Sequence, residues 1–265
     1  MRILVPVKQV PDTRTVRMDE KTGTVIRDGV AAIINPLDLY AIEAALLLKE
    51  SCGAETVALS MGPPQAERAL REALAMGIDR AVLVSDRAYA GSDTWATAWI
   101  LAAAARRLGE FDLILCGERA TDGDTGQVGP ELAAALGLPV LTHVNHVTPD
   151  GAGGFQAGRL VETGEELLAG TLPALLTVVK EIAEPRLPTL NGKIRARRET
   201  IPVWGQKELQ LDPASIGLEG SPTRVVKIFR PKIARQCRLV FGGDERKTAA
   251  AVNELAAFLQ SRASA

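Results

Sequence analysis

Aromatic and sulphur-containing side chains are scarce in this sequence, and their scarcity excludes several classes of protein. Aromatic residues make up 4% of the 265 residues and hydrophobic residues 46%, so the core must be built from aliphatic side chains. The three cysteines, Cys52, Cys116 and Cys237, are odd in number and widely spaced. This spacing favours free thiols in a reducing compartment over a disulfide framework or a zinc site, so we expect a cytoplasmic protein.

Long apolar runs, histidine and an excess of one charge are missing as well. No stretch of 18 apolar residues occurs, so we expect no membrane span. The net charge of -1 argues against generic binding of nucleic acid. The two histidines, His143 and His146, are three residues apart in an alternating stretch that is typical of a strand, where they would face opposite sides. We therefore expect no metal site.

Short apolar strands alternate with helices in the first half of the chain. The predicted strands are 3–7, 56–60, 80–84 and 111–115, and a helical pattern follows each of them. Asn35 is the predicted N-cap of the first helix, with Pro36 at its first position, and Ser92 or Asp93 is the predicted N-cap of the third. Repeated alternation of this kind is typical of an α/β fold: a doubly wound, Rossmann-like parallel sheet with helices on both faces.

Two other stretches are predicted to be β structure. A small hairpin is plausible over residues 16–25. After Pro139 the predicted segments are all strands, at 140–147, 154–161, 166–169 and 174–179, and Asp150-Gly151 is a hairpin signal. The α/β domain is therefore expected to span residues 1–183 and to be rich in β structure in its C-terminal part.

The glycine-rich stretch Cys116–Pro130 joins the fourth predicted strand to a helix. Gly117, Gly123, Gly126 and Gly129 would let the backbone approach a ligand closely, and a helix start favours phosphate. The stretch is neither Gly-x-Gly-x-x-Gly nor a Walker A loop, because no Lys follows its last glycine. Asp122 and Asp124 would repel a phosphate, so we expect them to hold ribose hydroxyls, brace the turn or cap the helix. A structural turn that binds nothing is the alternative.

The carboxyl ends of parallel strands meet at one edge of a sheet, and ligands bind there. This rule predicts that separated segments converge on one crevice: Pro6–Lys8, Asn35, Met61–Gly62, Asp93–Thr94 and Cys116–Val128.

Regular patterns end at residue 184. Residues 193–198 contain a basic cluster that is either a solvated loop or a segment that docks a partner. A last helix is predicted over residues 244–260. The loose tail of residues 206–265 would bury little on itself, so we expect an extended C-terminal arm that packs on another subunit.

Separated motifs in this order resemble the β subunit of electron-transfer flavoproteins over nearly the full length. They are Val-Pro-Val-Lys-Gln-Val-Pro-Asp at 5–12, Asn-Pro-Leu-Asp at 35–38, Ser-Met-Gly-Pro-Pro-Gln-Ala at 60–66, Ala-Leu-Ala-Met-Gly-Ile-Asp-Arg at 73–80, Asp-Gly-Asp-Thr-Gly-Gln-Val-Gly-Pro at 122–130, and Glu-Pro-Arg-Leu-Pro-Thr-Leu at 184–190. The chain departs from the family at Asn191-Gly192-Lys193-Ile194, where apolar residues are common, and it matches the family signature only loosely at 159–164.

The resemblance implies a heterodimer with an α subunit that carries an electron-transferring FAD. The β subunit of the family holds AMP in classical members, or in bifurcating members a second FAD that takes hydride from NADH. The motif at 122–130 resembles the bifurcating and nitrogen-fixation-associated group, and Gly123 and Gly126 would leave room for a pyrophosphate. We therefore expect FAD in preference to AMP.

The resemblance also implies roles for individual residues. Pro6 and Asn35 would line the adenine pocket, and Met61 would pack nearby. Leu190 would dock a flavin dehydrogenase, such as an acyl-CoA dehydrogenase, or a quinone oxidoreductase, through a partner-recognition loop at 184–205 with Arg195 and Arg197 at its rim. No catalytic side chain is proposed. The full set of predicted cofactor-binding residues is Pro6, Lys8, Asn35, Asp38, Met61, Gly62, Asp93, Thr94, Cys116, Gly117, Asp122, Gly123, Asp124, Thr125, Gly126, Gln127 and Val128.

Two other classes of protein share this alternation of strands and helices. One is a nucleotide-binding module of the stress-protein type, which would act alone and without flavin. The other is an ATP-cleaving enzyme, which the missing Ser-Gly-Gly-x-Asp loop after the first strand argues against.

Overall fold

The structure is a computed structural model that describes residues 1–12, 32–226 and 243–263, together with two short strands at 17–18 and 25–26. The chain divides into two compact units, Met1–Arg224 and Val225–Ala265. Cys237 and the turn of the predicted hairpin over residues 16–25 lie outside the described residues.

The strands and helices follow the predicted alternation. The strands are β1 (Arg2–Pro6), β2 (Gln9–Pro11), β3 (Arg17–Met18), β4 (Val25–Ile26), β5 (Ala32–Ile34), β6 (Glu55–Met61), β7 (Arg80–Val84), β8 (Leu113–Gly117), β9 (Val140–Pro149), β10 (Gly154–Val161), β11 (Gly164–Thr171), β12 (Ala174–Val178) and β13 (Val203–Trp204). The helices are α1 (Pro36–Cys52), α2 (Glu67–Met76), α3 (Thr94–Leu108), α4 (Val128–Leu136), α5 (Leu190–Arg198), α6 (Gln206–Leu209) and, in the second unit, α7 (Glu245–Ala263).

A 9-stranded sheet forms the centre of the first unit, in the order β11-β10-β9-β12-β8-β1-β6-β7-β13. In this order, each strand from β9 to the β13 edge pairs in parallel with the next one. At the other edge, β10 pairs antiparallel with both β9 and β11. The antiparallel strands therefore extend one edge of a parallel sheet. Two separate pairs, β2 with β5 and β3 with β4, are antiparallel as well.

Both faces of the sheet are covered by helices. Ile3 and Val5 pack in a buried cluster with residues of α1, α2 and α5, whereas Leu4, which lies between them, packs with residues of α3 and α4. This alternation follows from the two-residue period of a strand. The predicted doubly wound α/β fold is confirmed.

The N-cap of α3 follows local sequence. The Asp93 side chain accepts a hydrogen bond from the Ala96 N–H at 3.0 Å, which is the usual N-cap contact. Ser92, the other predicted cap, instead donates to the Tyr89 carbonyl at 2.8 Å. Of the two residues predicted as alternative N-caps of α3, Asp93 is the one that caps the helix.

The segment 184–205, which we expected to be a loop, contains the helix α5. Thr189 caps it by accepting a hydrogen bond from the Gly192 N–H at 2.9 Å. A Cβ atom at Gly192 would lie 2.1 Å from the Ala75 carbonyl oxygen, so glycine lets α5 approach the end of α2. Glycine disfavours a helix in an isolated peptide, and here the contact with α2 outweighs that preference.

Residues 206–224, which we assigned to the arm, belong to the first compact unit. Ile216 is buried in the same cluster as Tyr89, and the Ser221 hydroxyl accepts a hydrogen bond from the Asp93 N–H at 2.9 Å. Of the helices that the described residues form, none has both the length and the apolar character needed to cross a bilayer.

Candidate functional site

A cavity of about 1070 Å³ opens at the carboxyl ends of β1, β6, β7 and β8. The chain runs from β1 to β6 and β7 on one side of β1, and then returns to place β8 on the other side. The cavity is therefore at the point where the strand order reverses, which is where open α/β sheets bind ligands.

The structure brings together most of the predicted cofactor-binding residues. All of them line the cavity except Asn35 and Asp122; those in its wall are Pro6, Lys8, Asp38, Met61, Gly62, Asp93, Thr94, Cys116, Gly117, Gly123, Asp124, Thr125, Gly126, Gln127 and Val128.

Asn35 lies behind the wall and is fully buried. Its side-chain amide donates to Asp38 Oδ1 and to the Arg119 carbonyl, both at 2.9 Å, and its Oδ1 accepts from the Thr121 N–H at 3.1 Å. Asn35 occupies the predicted N-cap position of α1, with Pro36 at the start of the helix, but its side chain makes no capping hydrogen bond. A buried amide must satisfy its donors and acceptor, and the partners named above occupy them. Asn35 instead ties the start of α1 to the glycine-rich segment.

Asp38 is a buried carboxylate in the cavity wall. Its Oδ2 accepts a hydrogen bond from the Lys8 N–H at 2.7 Å, and its Oδ1 accepts from Asn35. Burial raises the pKa of the Asp38 carboxyl to about 7, although these hydrogen bonds favour the ionised form. Burial also raises the pKa of the neighbouring Cys116 thiol, and the Asp38 charge adds to that shift.

Asp122 and Asp124 both form ion pairs. Lys8 Nζ lies 2.8 Å from both carboxylate oxygens of Asp122, and Arg119 Nε lies 3.0 Å from Asp124 Oδ1. The residue at the N-cap position of α4 is Gln127, which makes no side-chain cap. Of the three roles expected for these aspartates, the ion pairs support bracing of the turn, and the predicted capping role is wrong.

The glycine-rich segment turns directly into α4. Gly126 has a φ of 67°, a conformation that L-residues with a side chain rarely adopt. A Cβ atom at Gly123 would meet no heavy atom within 4 Å, so this backbone borders open space. The first N–H groups of α4, on Val128 and Gly129, have no intrahelical acceptor. This backbone is suited to an anion.

Asp93 and Thr94 line the cavity, but their polar atoms already have protein partners. Asp93 Oδ2 accepts from the N–H and the hydroxyl of Thr223, at 2.9 and 2.7 Å. Burial opposes ionisation of Asp93, but the hydrogen bonds donated to it outweigh burial and lower its pKa. The Thr94 hydroxyl donates to Glu131 Oε1 at 3.1 Å. These contacts weaken the expectation that either side chain holds a phosphate or ribose.

Residues 84–87 and 89–92 also form part of the wall, and none of them was among the predicted cofactor-binding residues. Buried Tyr89 lies there, and its hydroxyl donates to Gln206 Oε1 at 3.3 Å. Asp86 accepts hydrogen bonds from the N–H groups of Ala88 and Gln206, both at 2.9 Å. Ser85-Asp86-Arg87 directly follows a predicted strand. The rule that the carboxyl ends of parallel strands converge could therefore have identified this segment from the sequence.

The predicted docking segment is held at both ends. Arg186 pairs with buried Glu43 at 2.7 Å and with Glu50 at 2.5 Å, both on α1. The Arg195 guanidinium donates to the carbonyls of Leu74 and Ile78, at 2.8 and 2.6 Å. Arg195 therefore fastens α5 to the end of α2. We had expected it to be a solvent-exposed charge at the rim of the docking surface. Between these anchors, Leu187 is 86% and Leu190 75% exposed.

Comparison with known proteins identifies relatives of almost the full chain. Residues 22–209 match the family model described as "Electron transfer flavoprotein domain". The chain is 45% identical over 263 residues to "Caffeyl-CoA reductase-Etf complex subunit CarD" of Acetobacterium woodii, which covers 99% of this chain and 97% of that protein. It is 47% identical to "Electron transfer flavoprotein subunit beta" of Megasphaera elsdenii, over 87% of this chain and 88% of that protein. It is 44% identical to "Protein FixA" of Azorhizobium caulinodans, over 87% and 85%.

Proposed function

We propose a function that starts from the family: this chain belongs to the electron transfer flavoprotein family, as a relative of its β subunits. It is therefore an electron-transfer subunit with an α-subunit partner, and the stress-protein and ATP-cleaving alternatives are set aside. The finer proposal is that it binds FAD in the cavity and passes electrons from NADH to acceptor proteins.

The size and position of the cavity carry this proposal. Ligand pockets usually enclose roughly 300–1,000 Å³, and the volume here, about 1070 Å³, is slightly above that range. A dinucleotide uses such a space more fully than AMP does. The open space beside Gly123 and the free N–H groups at the start of α4 suit a pyrophosphate.

The residues of the wall would then divide the work of holding FAD. The backbone of residues 125–129 and the start of α4 would hold the pyrophosphate, whereas the Asp124 N–H is already donated to the Ala120 carbonyl at 2.8 Å. Pro6 and Met61 would pack against the ring systems. FAD, when bound, would supply the acceptor for a hydride from NADH and then the donor of the electrons that pass to other acceptors.

A dehydrogenase of the acyl-CoA type is the proposed partner in solution, docked through Leu190. The name of the relative from Acetobacterium woodii associates that protein with a caffeyl-CoA reductase. Leu190 is exposed on a segment that Arg186 and Arg195 fix to two helices. A rigid apolar anchor of this kind supports a small contact that forms and dissociates quickly.

The nucleotide content of the purified αβ complex tests the FAD proposal. The complex is denatured, and the released FAD and AMP are separated and quantified against protein. We expect close to two FAD per heterodimer. One FAD with stoichiometric AMP would contradict NADH oxidation at this site and would leave the classical carrier as the function.

A further inference from the structure

The charged side chains in the cavity wall are mostly acidic, which is unexpected for a site that would hold phosphate. The basic members are Lys8, Arg87 and Arg119, and the acidic ones are Asp38, Asp86, Asp93, Glu118 and Asp124. An anion that enters this cavity meets an excess of negative charge, and each carboxylate must either be neutralised or lie apart from it.

All but one of these acidic side chains either lie beside an arginine or accept a hydrogen bond from an N–H group at the start of a helix. Arg119 neutralises Asp124 and lies 3.5 Å from Glu118. Asp86 and Asp93 accept hydrogen bonds from N–H groups at helix starts. Asp38 makes no ion pair with any residue that the structure describes. The charge of Lys8 lowers the Asp38 pKa, but the Lys8 Nζ pairs with Asp122 at 2.8 Å.

Asp38 also connects the elements that surround the cavity. It joins the end of β1, through the Lys8 N–H, to the start of α1 and to the amide of Asn35. Asn35 in turn holds Arg119 and Thr121 of the glycine-rich segment. A Cβ atom at Gly117 would lie 2.5 Å from Asp38 Oδ1, so β8 packs directly against this carboxyl.

We propose that Asp38 is a positioning residue that takes up a proton when a nucleotide enters the cavity, so that nucleotide binding at this site is linked to pH. The inference rests on the proposed function. The proton comes from solvent and neutralises the buried carboxylate, and no bond of the nucleotide breaks. Each oxygen of Asp38 accepts one of the hydrogen bonds named above and keeps a lone pair for the proton.

The surroundings of Asp38 favour its protonated form. Burial raises its pKa to about 7; Lys8 opposes the shift, and Asp122 adds to it. The charge of a bound phosphate would raise the pKa further. Proton uptake should therefore be near zero at about pH 5.5, where the carboxyl is already protonated, and approach one proton per nucleotide at about pH 8.

The test counts protons by calorimetry. The αβ complex, with its β site emptied, is titrated with FAD in buffers of different ionisation enthalpy, at about pH 5.5 and about pH 8. AMP is titrated in parallel. Proton uptake by the AMP phosphate itself is the same for wild type and Asp38→Asn, so subtracting the uptake of the variant from that of wild type leaves the contribution of Asp38. Wild-type affinity should fall by up to tenfold per pH unit above about pH 7, whereas Asp38→Asn should show no uptake and a flat profile.

Glu118→Gln is the matched control, because Glu118 is a carboxylate in the same wall that already lies beside Arg119 and is not among the predicted cofactor-binding residues. It should retain the uptake; its loss in this variant would assign the proton to another group and overturn the inference. Infrared difference spectra of wild type alone, at about pH 8, should gain a protonated carboxyl band when FAD or AMP binds.

The inference and the proposed function fail in different ways. Binding without proton uptake and without the infrared band would overturn the role of Asp38 and leave the proposed function intact. Binding of AMP alone, with uptake, would support the role of Asp38 and contradict FAD. If neither nucleotide binds, both fail.

Discussion

The glycines of the segment that lines the cavity are needed for different physical reasons. Gly117 has no room for a side chain, because a Cβ atom would lie 2.5 Å from Asp38 Oδ1 and 2.8 Å from the Leu37 carbonyl. Gly126 has room but a φ of 67°. Gly123 has room and an ordinary φ, and its missing side chain leaves space at the cavity. Substitutions at the three positions should therefore have different effects.

Gly126→Val should empty the β site while the FAD on the α subunit stays bound. A β-branched residue at this positive φ costs on the order of 1–3 kcal/mol and shifts the backbone that borders the cavity. The measurement is nucleotide content, together with the melting temperature of the complex.

Gly137→Val is the matched control for this prediction. Gly137 has a φ of 72° with open space around it, ends α4 and lies outside the cavity wall. It should lower the melting temperature by a similar amount and keep both nucleotides. Equal loss of nucleotide from both variants would show that only backbone strain had been measured.

Among the elements of the fold, α5 and the residues before it form a fixed segment with an exposed apolar surface. Arg186 holds the segment to α1, and Gly192 and Arg195 hold α5 to α2. Leu187 and Leu190 are exposed between these anchors. Fixing both ends lowers the entropy that docking would otherwise cost.

Leu190→Ala should weaken electron transfer to the partner dehydrogenase without changing flavin content or reduction by NADH. Losing one leucine that becomes buried on binding costs on the order of 1–3 kcal/mol, which is roughly ten- to a hundredfold in affinity. The affinity is measured as the half-saturating partner concentration in a steady-state assay of dehydrogenase-coupled reduction. Leu167→Ala, on β11 and likewise 75% exposed, is the control. An unchanged half-saturating partner concentration for Leu190→Ala would mean that this segment is not the docking site.

Two arginines of α5 should respond differently to charge reversal. Arg197→Glu should slow association with the partner and lose its effect at high salt, because Arg197 lies on the exposed surface. Arg195→Glu should also lower the melting temperature, since its guanidinium satisfies the Leu74 and Ile78 carbonyls, and each hydrogen bond from a charged group is worth about 1.5–3 kcal/mol. Stopped-flow association at several salt concentrations and thermal melting separate the two effects. Equal melting temperatures would show that Arg195 does not hold α5.

At the scale of the whole molecule, the chain has two compact units, and the cavity and both buried clusters lie in the first of them. The second unit contains α7, on which Val252, Leu255, Phe258 and Leu259 are more than half exposed. Exposed apolar side chains on one helix are typical of a surface that binds another chain.

A chain that ends at Arg224 should fold and lose affinity for the α subunit. The first unit retains Ser221, which accepts a hydrogen bond from the Asp93 N–H, and Thr223, which donates to the Asp93 carboxylate, so this part of the cavity wall stays in place. Thermal melting should stay cooperative, whereas the fraction that co-purifies with the α subunit should fall at least tenfold. Full recovery of the complex would contradict the role of residues 225–265 as an arm.

The parallel sheet, the helices around it and most of the segments that border the cavity could be predicted from the sequence alone. Apolar periodicity and end signals such as Asp93 act within a few residues, so they can be recognised without knowing what packs against what. The convergence of Pro6, Met61 and the glycine-rich segment then followed from the geometry of parallel strands.

How the polar groups around the cavity are used depends on the packing of elements that are distant in sequence. Asn35 serves the glycine-rich segment instead of capping α1, Asp93 is shared with Thr223, and Arg195 fastens two helices. The partners in these contacts are far apart in sequence and meet only once the elements have packed. A buried donor or acceptor takes whichever partner that packing brings within reach, and local sequence carries no record of the choice.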